Sequence, residues 1–111
     1  MDSAENVMWT RPDSALAALE SIDTLALKTK AQRARYSLLY TMALCRNHLT
    51  IQDLRVIKPA ASYYERHGSN DDRMKMYFYL GTAQYDTGDP ESAIASYIRA
   101  KEYSSRSDNL V

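Results

Sequence analysis

Residues 88–103 read GDPESAIASYIRAKEY, and residues 11–23, RPDSALAALESID, carry the same order of proline, acid, serine, alanine, leucine or isoleucine, and alanine. Gly88 can adopt the left-handed conformation that ends a helix. Asp89 can accept hydrogen bonds from free amides as an N-cap, and Pro90 suits a first helical position. Together they predict helix, turn, helix. Ahead of them, Ser69 and Asp72 have capping-box spacing, and residues 74–86 run on with only Gly81 as a breaker. Behind them, Ala93, Ile94, Tyr97, Ala100 and Lys101 recur at helical spacing. Residues 71–105 are expected to form a helical hairpin.

The same construction is legible upstream. Residues 31–47 and 59–67 read as two helices, the second closed by Gly68, which makes a unit over 31–68. Pro59 cannot lie deep in a helix without losing a hydrogen bond, so residues 50–56 are expected to make a turn of their own. At the front, residues 12–22 place Ala15, Leu16, Leu19 and Ile22 on one face, while residues 3–9 supply a stub of a partner, giving a truncated unit over 3–23. Both longer helices are apolar on more than one side: Tyr36, Leu38, Leu39, Tyr40, Met42, Ala43 and Leu44 in one, Met74, Met76, Tyr77, Phe78, Tyr79 and Leu80 in the other. Such helices are buried between neighbours, and stacked hairpins would cover each with the next.

Composition agrees. The chain has 111 residues with three glycines and three prolines, which fits one all-α domain over 1–111. Lys plus Arg equals Asp plus Glu at 14 each, so no field of one sign draws in nucleic acid or an anionic membrane. No apolar run approaches the roughly 20 residues of a bilayer span, and Asp2 and Glu5 are unlike the basic opening of a signal peptide. The expectation is a soluble segment with no direct membrane contact.

The last hairpin resembles a tetratricopeptide repeat, in which units of about 34 residues pair two antiparallel helices. Tyr77 sits where that family prefers Trp. Leu80 and Gly81 reproduce its Leu-Gly pair, Ala93 and Tyr97 its alanine and aromatic four apart, and Ala100 follows. Gln84 replaces the usual Tyr and Ser105 the closing Pro. In the second unit Tyr36, Leu39, Tyr40 and Ala43 fit the first helix and Ala60 with Tyr64 the second, with about eight extra residues between. The first unit matches through Ala15, Leu19 and Ile22. The resemblance implies a right-handed superhelix of two and a half to three hairpins, with Gly81 and Ala93 small where two helices approach and Tyr77 and Tyr97 filling wedges between hairpins.

The order of these units is similar to the repeat regions of bacterial envelope lipoproteins and membrane-tethered sensor-regulators. That implies part of a longer bacterial chain, on the periplasmic or envelope side, with a cytoplasmic location as the alternative.

Several places carry residue types capable of chemistry. Cys45 and His48 could share a helix face, but two ligands do not make a structural metal site, and a packed thiol with a helix-end histidine is the simpler reading. His67 and the pair Asp71 and Asp72 suit helix ends, where they complement the dipole. Lys28, Lys30, Arg33 and Arg35 could grip an acidic peptide or phosphate, or form a solvated face. The nine tyrosines could stack bases, although at helical spacing they read as core. No nucleophile elbow, phosphate loop or zinc-protease motif is present, so neither enzyme nor cofactor is expected.

What the resemblance implies is a concave groove. Carried over by position, it presents Ser37, Thr41, Leu44 and Cys45 from the second unit and Lys75, Phe78, Thr82, Tyr85 and Asp86 from the third. Phe78 and Thr82 stand where co-chaperone members clamp a terminal carboxylate with Lys and Asn, so an apolar peptide or partner helix is the implied ligand. A face of ordinary packing residues is the competing reading. Self-association is the alternative function, through a last helix that leaves Ile94, Ile98 or Tyr103 uncovered.

Overall fold

The computed structural model describes residues 1–106. They form six helices: α1 Asp2–Val7, α2 Pro12–Glu20, α3 Lys30–Arg46, α4 Lys58–His67, α5 Asn70–Asp86 and α6 Pro90–Ser104. Two 3-10 turns, Thr24–Ala26 and Leu54–Val56, sit in the connections. The fold is all-α, and no strand occurs among the described residues. None of the helices is long and apolar enough to cross a membrane.

Local chemistry sets the boundaries. Thr29 and Ser69 each open a helix with a complete capping box, Thr29 with Gln32 and Ser69 with Asp72. Asp89 accepts from the Ser92 amide at 3.2 Å to open α6, and Pro12, Pro59 and Pro90 all fall in a first turn, where no amide partner is lost. The ends of α3 and α5 are alike. His48 donates to the Cys45 carbonyl and Leu49 to that of Leu44; Gly88 donates to Tyr85 and Asp89 to Gln84. Each pair is a Schellman motif, and its left-handed residue is Gly88 (φ 91) in one case and His48 (φ 59) in the other. Gly68 behaves differently from its expected role. Its φ of −84 is not left-handed, and it is needed because a Cβ there would stand 2.8 Å from the Tyr64 carbonyl oxygen.

Consecutive helices pair: α1 with α2, α3 with α4, and most extensively α5 with α6. Neighbouring pairs then meet through α2 on α3, α4 on α5 and α3 on α5. One core runs through all of them, from Ala4, Met8, Ala15 and Leu19 through Leu38, Leu39, Met42 and Ala43 to Met76, Tyr77, Tyr79, Ala83 and Ala100. Helices α3 and α5 supply half of its buried residues, as their all-round apolar character predicts, and Ile51, Ile57 and Ala60 add the connection and α4. Helix α1 is anchored by Ala4, with Met8 just after it, in the core, and is oriented by Arg35 of α3, which meets Asp2 at 2.6 Å and Glu5 at 3.1 Å.

Two capping boxes and two Schellman motifs fix how α3 corresponds to α5. Both helices have 17 residues, and Thr29 stands as far before Ser69 as His48 before Gly88. Ser37 therefore corresponds to Tyr77, Leu38 to Phe78, Thr41 to Gly81 and Met42 to Thr82. The correspondence drawn from the aromatic residues, with Tyr36 opposite Tyr77, is one residue out.

Candidate functional site

A one-residue step along a helix turns a side chain by about 100°, and that accounts for where the expected groove residues lie. Ser37 and Thr41 are buried and face α4, not a groove. The Ser37 hydroxyl donates to the Val56 carbonyl at 2.6 Å and accepts from the Ala60 amide at 3.3 Å. Thr41 donates back to the Ser37 carbonyl at 2.8 Å. These two small residues let the start of α4 close on α3, as Gly81 lets α6 close on α5: a Cβ on Gly81 would lie 2.9 Å from two ring carbons of Tyr97. Leu44 is half-buried at the edge of the core. Asp86 holds the long connection in place, accepting from the Ile51 amide at 2.9 Å.

Lys75 and Phe78 do line a groove, and Met42, the true counterpart of Thr82, lines it with them. This depression of about 670 Å³ is bounded by Trp9, Met42, Met74, Phe78, Tyr79 and Tyr97, and reaches Ala100, Lys101 and Ser104 on α6. It is apolar on its floor, and among the described residues the two lysines are its only charged lining. Trp9 and Phe78 are 60 % and 48 % exposed, much for side chains of their size. Thr82 lies further along α5 and shares a hydrogen bond of 2.9 Å with the Tyr97 hydroxyl. Tyr85 is exposed at the far end of the helix. The expected set is thus divided: Lys75 and Phe78 in the groove, Thr82 beside it, Ser37, Thr41, Leu44, Tyr85 and Asp86 elsewhere.

Trp9, at the end of the stub helix, is the residue that the sequence left unsuspected. Its indole is held under the Arg46 guanidinium, whose carbon lies 4.6 Å from the ring centroid, while Arg46 Nη2 reaches the Trp9 carbonyl at 3.4 Å. Arg46 Nε is buried without a hydrogen-bond partner, which the cation–π contact partly offsets. Lys75 is steadied by Asp71 at 3.0 Å. Within the last hairpin Tyr97 covers Gly81 and tilts against Phe78, and Tyr77 stacks on Tyr103 at 5.8 Å, while Tyr97 also lines the groove with Trp9 and Met42.

The other candidates resolve into structure. Arg33 donates to the carbonyls of Leu27 and Lys28 and Arg35 is paired with α1, while Lys30 and Arg33 line a depression of about 540 Å³ with Glu65, Arg66 and His67 of α4. Burial, with the nearby Asp86 charge, pushes the Cys45 thiol up to about 11, so it stays protonated. His48 is a helix terminus. No group of three metal-binding side chains occurs among the described residues.

No protein-family model, curated protein or solved structure matches the chain.

Proposed function

We propose that the chain is a non-enzymatic protein-interaction module, a short stack of tetratricopeptide-like hairpins in a right-handed superhelix that binds an amphipathic helix of another protein. The likeness to the repeat regions of bacterial envelope lipoproteins and sensor-regulators supports a scaffolding or sensory role within a larger bacterial protein. The observation that carries the reading is the apolar groove in which Trp9 and Phe78 stay exposed between α3, α5 and α6. Large aromatic side chains left uncovered in a concave, apolar setting are the usual anchors of protein recognition.

The chemistry of the lining selects the ligand. Lys75 and Lys101 stand at an otherwise apolar surface, so the fitting segment has apolar residues at helical spacing and acidic residues beside them. Burying each apolar side chain contributes about 2 kcal/mol before the cost of ordering the peptide. Panning a library of helix-forming 16-residue peptides on the chain tests the proposal. Enrichment of apolar residues at i, i+3 or i+4, and i+7 with flanking Asp or Glu, abolished by Phe78→Asp, is expected. Equal recovery on the parent chain and the variant would contradict it.

A further inference from the structure

Helix α6 carries a second apolar feature, centred on Ile94 and Ile98, which meets the groove at Lys101. It buries Ala93, Ser96 and Ala100 and has extensive contact with α5 alone, while Ile94 and Ile98 are 60 % and 55 % exposed. Ile94 follows the buried Ala93 as Leu16 follows Ala15 in α2 and Ala61 follows Ala60 in α4. Leu16 and Ala61 are drawn against the core where α2 meets α3 and α4 meets α5. Ile94 occupies the corresponding place and, among the described residues, none covers it.

Ile98 departs from that internal pattern. Its counterparts, five residues beyond the same alanines, are Glu20 and Glu65, both exposed. Stacking of one hairpin on the next within this chain therefore uses the first position and leaves the second charged. A face with isoleucine at both positions is built for a different neighbour.

The stripe itself names that neighbour. Glu91, Ile94, Ile98 and Lys101 follow one another at steps of three, four and three, the spacing of a coiled-coil seam, and all four are exposed. The order acid, isoleucine, isoleucine, base is complementary to its own reverse. In an antiparallel pair about a two-fold axis level with Ser96, each Ile94 opposes the Ile98 of the other copy, and each Glu91 opposes the other copy's Lys101. Two isologous ion pairs close the ends of a four-isoleucine centre.

We infer that the chain forms a two-fold dimer through an antiparallel α6 seam, with Ile94 against Ile98 and Glu91 against Lys101 of a second copy. Lys101 borders both surfaces, but Phe78→Ala separates them, leaving the dimer unchanged and weakening only ligand capture. Sedimentation equilibrium of the chain alone tests it. The mass rises from monomer to dimer over about a hundredfold range of concentration, and Ile98→Glu raises the dimer dissociation constant about tenfold or more. Glu91→Lys does the same by placing like charges together at both ends, and the double variant Glu91→Lys with Lys101→Glu returns to within about threefold of the parent. Circular dichroism verifies that each variant keeps its helix content. A monomer at every concentration overturns the dimer and leaves the stripe to a helix of some other chain or segment. A double variant no better than Glu91→Lys alone overturns the antiparallel register.

Discussion

A Cβ on Gly81 would stand 2.9 Å from the Tyr97 ring and 3.2 Å from the Ala93 carbonyl oxygen, and the ring is pinned because its hydroxyl is bonded to Thr82. Gly81→Val is expected to lower stability by about 2–3 kcal/mol, read as a lower urea midpoint. Ser37→Ala leaves the Ala60 amide without its partner and the Val56 carbonyl with only the long 3.5 Å contact from the Thr41 hydroxyl, and costs about 2 kcal/mol in the same assay. His48 has the opposite sign. It holds a left-handed conformation that glycine adopts freely, so His48→Gly is expected to raise stability by about 0.5 kcal/mol. Cys45, with a thiol pushed up to about 11, is expected to react with a disulfide reagent at pH 8 at least tenfold more slowly than after unfolding in urea.

At the scale of elements, the ends of helices were legible and their faces were not. Ser69, Asp72, Gly88, Asp89 and Pro90 act on backbone groups within a few residues, so their chemistry can be read without knowing the fold. The environment of Ser37 depends on Val56 and Ala60, about twenty positions further on, which only tertiary packing brings near. Thr29 and Gln32 form a capping box as local as that of Ser69 and Asp72, amid neighbouring charges that mask it in the sequence. With that box as the landmark, the register of α3 places Met42, not Thr41, in the groove. Capping also gives the pH response. Hydrogen bonds to Ser92 hold the Asp89 carboxyl below its ordinary value, and Arg35 does the same for Asp2. A carboxyl with a lowered folded-state value adds stability above its unfolded value, which is lost as pH falls through the folded one. Thermal midpoints are therefore expected to decline below about pH 4, less steeply in Asp89→Asn, which keeps an N-cap without the titration.

For the whole molecule, the first pair of helices matters more than its length implies. Helix α1 has six residues, yet it positions Trp9 at the mouth of a groove whose other walls come from α3, α5 and α6. The Arg35 contacts with Asp2 and Glu5 are exposed and individually worth little, but they orient the segment that carries the indole. Arg35→Ala is expected to leave the urea midpoint nearly unchanged while weakening peptide capture several-fold, a split that separates groove assembly from folding. The account stands or falls on that groove as a recognition surface. The most direct measurement is a titration of the isotopically labelled chain with a 16-residue amphipathic helical peptide bearing acidic residues on its polar face, followed by amide and indole chemical shifts. Saturable shifts confined to Trp9, Met42, Met74, Lys75, Phe78 and Tyr97 and their neighbours are predicted. Shifts absent at millimolar peptide, or centred away from these residues, would contradict it.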